Sequence, residues 1–150
     1  MYKEILVTLD RSELAEAAIP HAREIAKALG AGITLLSVVE VMAVYQQPGV
    51  IGPVVSVTMN VEEEIVTTEQ YLEKIADRLR ADGIVVKRVV REGDPASQIC
   101  DYAHENDIDL IVMSTHGRSG VQRWVYGSVA DRVLRSAMLP ILLVRAKPGK

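Results

Sequence analysis

The apolar positions fall into two alternating kinds of run. Ile5–Leu9, Ile33–Val39, Ile84–Val90, Leu110–Met113 and Ile141–Val144 are short, β-branched and mostly continuous. Continuous apolar runs of this length suit strands buried on both faces of a parallel sheet. Between them the apolar residues recur at helical spacing. Leu14, Ala18, Ala22, Ile25, Ala26 and Leu29 form one stripe, ended by Gly30. Val61, Ile65, Thr68, Leu72, Ile75, Ala76 and Leu79 form a second, ended near Gly83. Ala96, Ile99, Cys100 and Ala103 form a third, opened by Asp94 as N-cap and Pro95 at the first helical position. Val129, Val133, Leu134 and Ala137 form a fourth, stopped by Pro140. Strand and helix alternating in this way predict right-handed βαβ units with helices on both faces of one sheet.

Two stretches strain the pattern. Pro20 lies inside the first stripe, where it removes a backbone donor, so a single helix bent at Pro20 is expected. Residues 40–60 make a long connection holding Pro48, Gly49, Gly52 and Pro53, a length that goes with functional or mobile loops.

The chain has 150 residues, 49% hydrophobic and 25% charged, which is globular composition and points to one domain over 1–150. Seventeen basic residues against 20 acidic ones give a net charge of −3, which argues against a dedicated nucleic-acid binder. One cysteine, Cys100, leaves no internal disulfide and fits a reducing compartment. No cationic stretch precedes a long apolar run, and every apolar run is too short for a membrane span. The expectation is a soluble cytoplasmic protein.

In an open parallel sheet, ligands bind beyond the carboxyl ends of the strands, where strand order reverses. That singles out Thr8 to Ser12, Val38 to Glu40, Gly93 to Pro95, and above all Ser114 to Ser128. The last segment leaves a strand, carries Gly117, Gly120 and Gly127, and reaches a helix start at Gly127-Ser128. Glycines let backbone N–H groups approach an anion, and a helix N-terminus adds its positive dipole end. Residues 114–137 also hold Arg118, Arg123, Arg132 and Arg135 against one acid, Asp131. A phosphate cradle and a Gly-rich loop with solvated arginines both fit these residues.

Known nucleotide signatures exclude more than they suggest. There is no G-x-x-x-x-G-K-[ST], and no G-x-G-x-x-G follows the first strand, so neither a P-loop NTPase nor a dinucleotide fold is indicated. Asp10 has no adjacent acid, and no lysine lies between Lys87 and Lys147, which rules out a phospho-accepting receiver. His21 and His104 sit on helices without a second ligand at metal spacing and read as surface histidines. Cys100 falls on the apolar stripe of the third helix and reads as inert and buried. Glu62-Glu63-Glu64 open a helix, where carboxylates suit the dipole and require no partner. Trp124 and Tyr126 could cover a ligand or an interface.

The segment Ser114–Ser128 resembles the ATP-binding group of the universal stress protein family. Members carry Gly, two residues, Gly, nine residues, then Gly-Ser or Gly-Thr. Here Gly117, nine residues and Gly127-Ser128 match, and Ser114 occupies the first glycine position. The likeness extends along the chain through Ile5–Asp10 and Ser12, Leu35–Val39, Gly93–Pro95, Asp109–Met113 and Pro140–Val144. It implies a Rossmann-like α/β fold of the adenine nucleotide alpha hydrolase type, with five parallel strands in the order 3-2-1-4-5. It also implies ATP, with Mg²⁺ or Mn²⁺, lying across the strand ends. Asp10 would hold the ribose or adenine edge beside Thr8 and Leu9, and the Val38 backbone would read adenine. Met113 would wall the base, and Gly117, Arg118, Gly127, Ser128 and Val129 would surround the phosphates. Ser114 and His116 complete the candidate set. Members dimerise through the last strand, here at 140–145, which would otherwise leave an apolar edge open.

The function expected is therefore a homodimeric regulator that responds to an adenine nucleotide and contacts a protein partner, rather than an enzyme. A slow ATPase or autophosphorylating enzyme is one alternative. An interaction module of the same fold that binds no nucleotide is the other.

Overall fold

The computed structural model describes residues 1–41, 60–116 and 127–146. In chain order the elements are β1 (Glu4–Thr8), α1 (Glu13–Glu16), α2 (Ala18–Leu29), β2 (Gly32–Val39), α3 (Val61–Ala81), β3 (Val86–Glu92), α4 (Pro95–Glu105), β4 (Leu110–Ser114), α5 (Ser128–Ser136) and β5 (Ile141–Val144). All five strands are parallel, in the order β3-β2-β1-β4-β5. The expected strands are all present, shifted by at most two residues at their ends.

Alternation along the central strands divides the core into two layers. Ile5, Val7, Ile33, Leu35, Leu110 and Val112 pack with α2 and α3 on one face. Leu6, Leu36, Ile111 and Met113 pack with α4 and α5 on the other. Ile5, Leu6 and Val7 are at most 1% exposed, so the centre of β1 has no polar face. Burying each such side chain contributes about 1.5–3 kcal/mol, which explains why these runs are continuous rather than alternating. The edge strands differ. β3 exposes Lys87 and Arg88, charges that discourage further pairing, whereas β5 presents the half-buried Ile141, Leu142 and Leu143.

The first helical stripe is not one bent helix. It divides at Ala17 into α1 and α2, so the interruption precedes Pro20 instead of falling on it. In a continuous helix the Pro20 ring would collide with the Glu16 carbonyl and leave it without a donor. Ending α1 at Glu16 puts Pro20 in the first turn of α2, where its missing N–H has no helical partner to lose. α2 then closes as expected, with Gly30 in the left-handed region (φ +67°) and its N–H donating to the Ala26 carbonyl. The fourth stripe forms α5, which ends at Ser136, before Pro140 can act on it.

Asp94 caps α4 as its sequence suggests. One carboxylate oxygen accepts from the Ser97 N–H at 3.0 Å and the Ser97 hydroxyl at 2.7 Å. The other accepts from Arg132 of α5 at 2.7 Å, tying the two helices of that face together. The Arg132 guanidinium and the Ser97 donors hold the Asp94 carboxyl well below the usual carboxylate range. A depressed carboxyl stabilises the fold above its unfolded value, near pH 3.9, and that contribution is lost as pH falls further. Asp94→Ala is expected to cost about 1 kcal/mol at pH 7. The gap to wild type should shrink as pH drops below about 4, which urea melts at the two pH values would read.

Candidate functional site

Strand order reverses between β1 and β4, and a cleft of about 390 Å³ opens at their carboxyl ends. Its size is that of a small-ligand site.

One wall is built by the chain leaving β1. Thr8 ends the strand and Leu9 still knits it to β2, its N–H donating to the Leu36 carbonyl at 2.9 Å. Asp10 then turns the chain. Its Oδ1 accepts from the Ser12 N–H at 3.0 Å and from the Ser12 hydroxyl at 2.5 Å. The Ser12 oxygen in turn accepts from the Ala15 N–H at 3.1 Å, capping α1. Asp10 is thereby oriented by the same serine that starts the helix. Arg11, between them, has φ +67°, a left-handed conformation that costs a non-glycine residue about 1–2 kcal/mol. Its guanidinium donates to Glu64 of α3 at 2.9 Å. Farther along α3, the Tyr71 hydroxyl donates to Glu16 at 2.8 Å. Burial, with the Glu16 and Asp10 carboxylates nearby, pushes Tyr71 ionisation well up, so it stays a neutral donor.

The other wall is built by β4 and the start of α5. Met113 and Ser114 end β4, both buried. The Thr115 N–H donates to the Val144 carbonyl at 2.9 Å, and the Thr115 carbonyl accepts from Gly127 N–H at 2.6 Å. These bonds bring the chain back to the strand end before α5 begins. The Thr115 hydroxyl lies 3.0 Å from His116 Nδ1. α5 starts at Ser128 with Gly127 as N-cap and no side-chain cap. α1 and α4 spend a Ser and an Asp oxygen on this task, whereas α2 and α3, like α5, have no side-chain cap. The first-turn N–H groups of α5 therefore meet the cleft without a capping oxygen, as anion sites at helix starts do.

The sequence-predicted residues thus converge. Thr8, Leu9 and Asp10 at and beyond the end of β1, Val38 of β2, Met113, Ser114 and His116 at and beyond the end of β4, and Gly127, Ser128 and Val129 at the start of α5 all line this cleft. Gly117, Arg118, Trp124 and Tyr126, and most of the 40–60 connection, lie outside the described residues. Arg132 and Arg135 are engaged by Asp94 and Asp131, so neither is simply a solvated loop charge. His21 and His104 are exposed. Cys100 is half-buried, and burial pushes its thiol up, away from the reactive thiolate.

Glu64 corrects the reading of the acidic run, because it has a partner in Arg11 while Glu62 and Glu63 are exposed. Arg11, Glu40 and Pro95, which lie in the strand-end segments singled out but were given no role, also line the cleft, as do Glu64, Thr68 and Ile99, which the sequence reading did not place there. For Arg11 a signal existed, since it stands between Asp10 and Ser12 at a strand end. For Glu64 and Thr68 none did.

The profile of the universal stress protein family matches residues 1–145. The chain belongs to that family. Universal stress protein MJ0531 of Methanocaldococcus jannaschii is 33% identical over 150 residues, covering all of this chain and 85% of that one. The solved structure of MJ0577 from the same organism superposes with a TM-score of 0.79 at 28% identity, covering 99% of each chain. Universal stress protein UspA from Lactobacillus plantarum gives 0.81 at 29%, covering 96% of this chain and 98% of that one. As a universal stress protein, the chain has the five-stranded 3-2-1-4-5 sheet that its family resemblance implied. Among the described residues no helix is long and apolar enough to cross a membrane.

The Ser12 hydroxyl serves both Asp10 and α1. Ser12→Ala is expected to lower stability by about 1 kcal/mol in urea melts.

Proposed function

We propose that this universal stress protein binds an adenine nucleotide, ATP by preference, in the cleft between β1 and β4, as a regulatory ligand of a cytoplasmic homodimer. The observation that carries this reading is the cleft itself. It sets the Asp10 carboxylate on one side of the switch point and the uncapped start of α5 on the other. A carboxylate accepts from ribose hydroxyls, and helix-start amides favour phosphate. The Val38 backbone and Met113 would flank the base, and Ser128 and Val129 would supply donors to the phosphates. Proteins of this fold do hold adenine nucleotides. One solved universal stress protein is a complex with cAMP and one from Archaeoglobus fulgidus is a complex with dAMP. At 22% and 21% identity those two likenesses show the fold alone.

Among the described residues no three His, Cys, Asp or Glu side chains gather as a metal site. Mg²⁺ or Mn²⁺ would accordingly arrive on the nucleotide's own phosphates. The titratable side chain on the α5 side of the cleft, among the described lining residues, is His116, whose Nδ1 is engaged with Thr115. Regulation rather than rapid hydrolysis is what the family resemblance implies, and measured turnover decides between them. The dimer reading rests on β5, an edge strand with half-buried Leu142 and Leu143, close in sequence to Met138, which is 98% exposed.

The test is to denature fresh protein, identify released nucleotide by chromatography, and titrate ATP into wild type, Asp10→Ala and Gly127→Ala, with sedimentation reporting the dimer. Expected are bound adenine nucleotide, turnover slower than one per minute, and affinity reduced about tenfold or more in both variants, or ~1.4 kcal/mol. An empty protein with no titratable affinity would transfer the function to an interaction module. Steady hydrolysis would transfer it to an enzyme.

A further inference from the structure

The two walls of the cleft carry opposite electrostatic character. The β4–α5 wall offers backbone donors at a helix start. The β1–β2 wall, with α3 behind it, offers three carboxylates, Asp10, Glu40 and Glu64. Among the described lining residues its one guanidinium or ammonium cation is Arg11, and that cation is committed to Glu64.

We infer that the Arg11–Glu64 pair is a specificity device. It makes the cleft accept nucleotides with free ribose hydroxyls and reject those bearing a second phosphate on the 2′ or 3′ oxygen. The inference deepens the adenine-nucleotide reading and rests on it, with Asp10 at the ribose.

A phosphate monoester carries about −1.5 to −2 charge at neutral pH. Placed on the ribose beside Asp10, it would meet a wall of like charge, and such juxtapositions are strongly unfavourable. Among the described lining residues, the cation that could relieve it, Arg11, is held away by Glu64. The Arg11 and Glu64 side chains are only 26% and 18% exposed. Drawing Arg11 onto a ligand phosphate would leave Glu64 as a shielded, unpaired charge, which is more costly than the pair itself.

Both ends of the pair are also fixed by their backbones. Arg11 leaves a left-handed turn whose neighbours, Asp10 and Ser12, are bonded to each other. Glu64 sits one turn before Thr68, a buried residue whose hydroxyl donates to the Glu64 carbonyl at 2.7 Å. Leu72, Ile75, Ala76 and Leu79 then lock α3 onto the sheet. The pair therefore joins rigid elements 53 residues apart, at the mouth of a ligand-sized cleft.

The test is calorimetric titration of the full chain with 5′-AMP, adenosine 3′,5′-bisphosphate and adenosine 2′,5′-bisphosphate. Wild type is expected to prefer 5′-AMP to either bisphosphate by about tenfold or more. Glu64→Gln keeps the side-chain shape and releases the guanidinium, so the preference should fall about fivefold or more for at least one bisphosphate. Arg11→Gln leaves the carboxylates uncompensated, and the preference should widen. A pair serving only as a staple would weaken all three ligands together and leave their ratios unchanged, which overturns the inference. Equal binding of 5′-AMP and both bisphosphates by wild type overturns it too. A wild-type protein that binds neither ATP nor any of the three overturns the nucleotide reading and this inference with it, whereas one that binds ATP but none of the three overturns this inference alone.

Discussion

An all-parallel sheet buried on both faces can be entered by a ligand only where its connections part, and this requirement organises the molecule. β1 lies at the centre with β2 on one side and β4 on the other. The crossover from β1 to β2 runs over one face and the connection from β3 to β4 over the other, so the helices separate above β1 and β4. No side chain of β1 from Ile5 to Val7 is free for chemistry, because each is needed in a core layer. Function is displaced to the residues that follow the strand, and Asp10, Arg11 and Ser12 are the first that the sheet does not consume.

That constraint also accounts for what could be read from the chain beforehand. Continuous apolar runs marked the strands because both faces are covered, and helical stripes marked α2 to α5 because each buries one side. The cleft residues were legible for a related reason, since strand ends can be located once strands can. Asp94-Pro95 declared the start of α4 through two independent preferences that agree. Where preferences conflicted, the reading slipped. Pro20 sat in an otherwise good stripe, and periodicity could not show whether the helix would bend at the ring or stop before it. The answer depends on the Glu16 carbonyl, one turn earlier.

The Arg11–Glu64 pair was illegible for a deeper reason. Glu64 belongs to an acidic first turn that the helix dipole explains by itself, so nothing in the run distinguishes it from Glu62 or Glu63. Its partner lies 53 residues away, on a turn whose left-handed backbone has no glycine to announce it. Local pattern reports local energetics, whereas this contact comes from the packing of α3 against the end of β1. The charges of Arg132 and Arg135 follow the same rule: Arg135 has its partner at helical spacing, while Arg132 reaches Asp94 across the α4–α5 seam.

The same distinction bears on how the site would discriminate. Amides at the start of α5 attract any phosphate, because an anion site made of backbone carries no information about the rest of the ligand. Selectivity has to come from the opposite wall, where side chains vary and charge can be placed or withheld. On that wall the structure places carboxylates, and among the described lining residues it ties the one guanidinium, that of Arg11, to one of them. If the cleft holds a nucleotide as proposed, attraction at one end and guarded negative charge at the other would set the direction in which it lies before any base contact is made. Orientation then follows from field rather than from shape, and the residues that impose it need not touch the base at all.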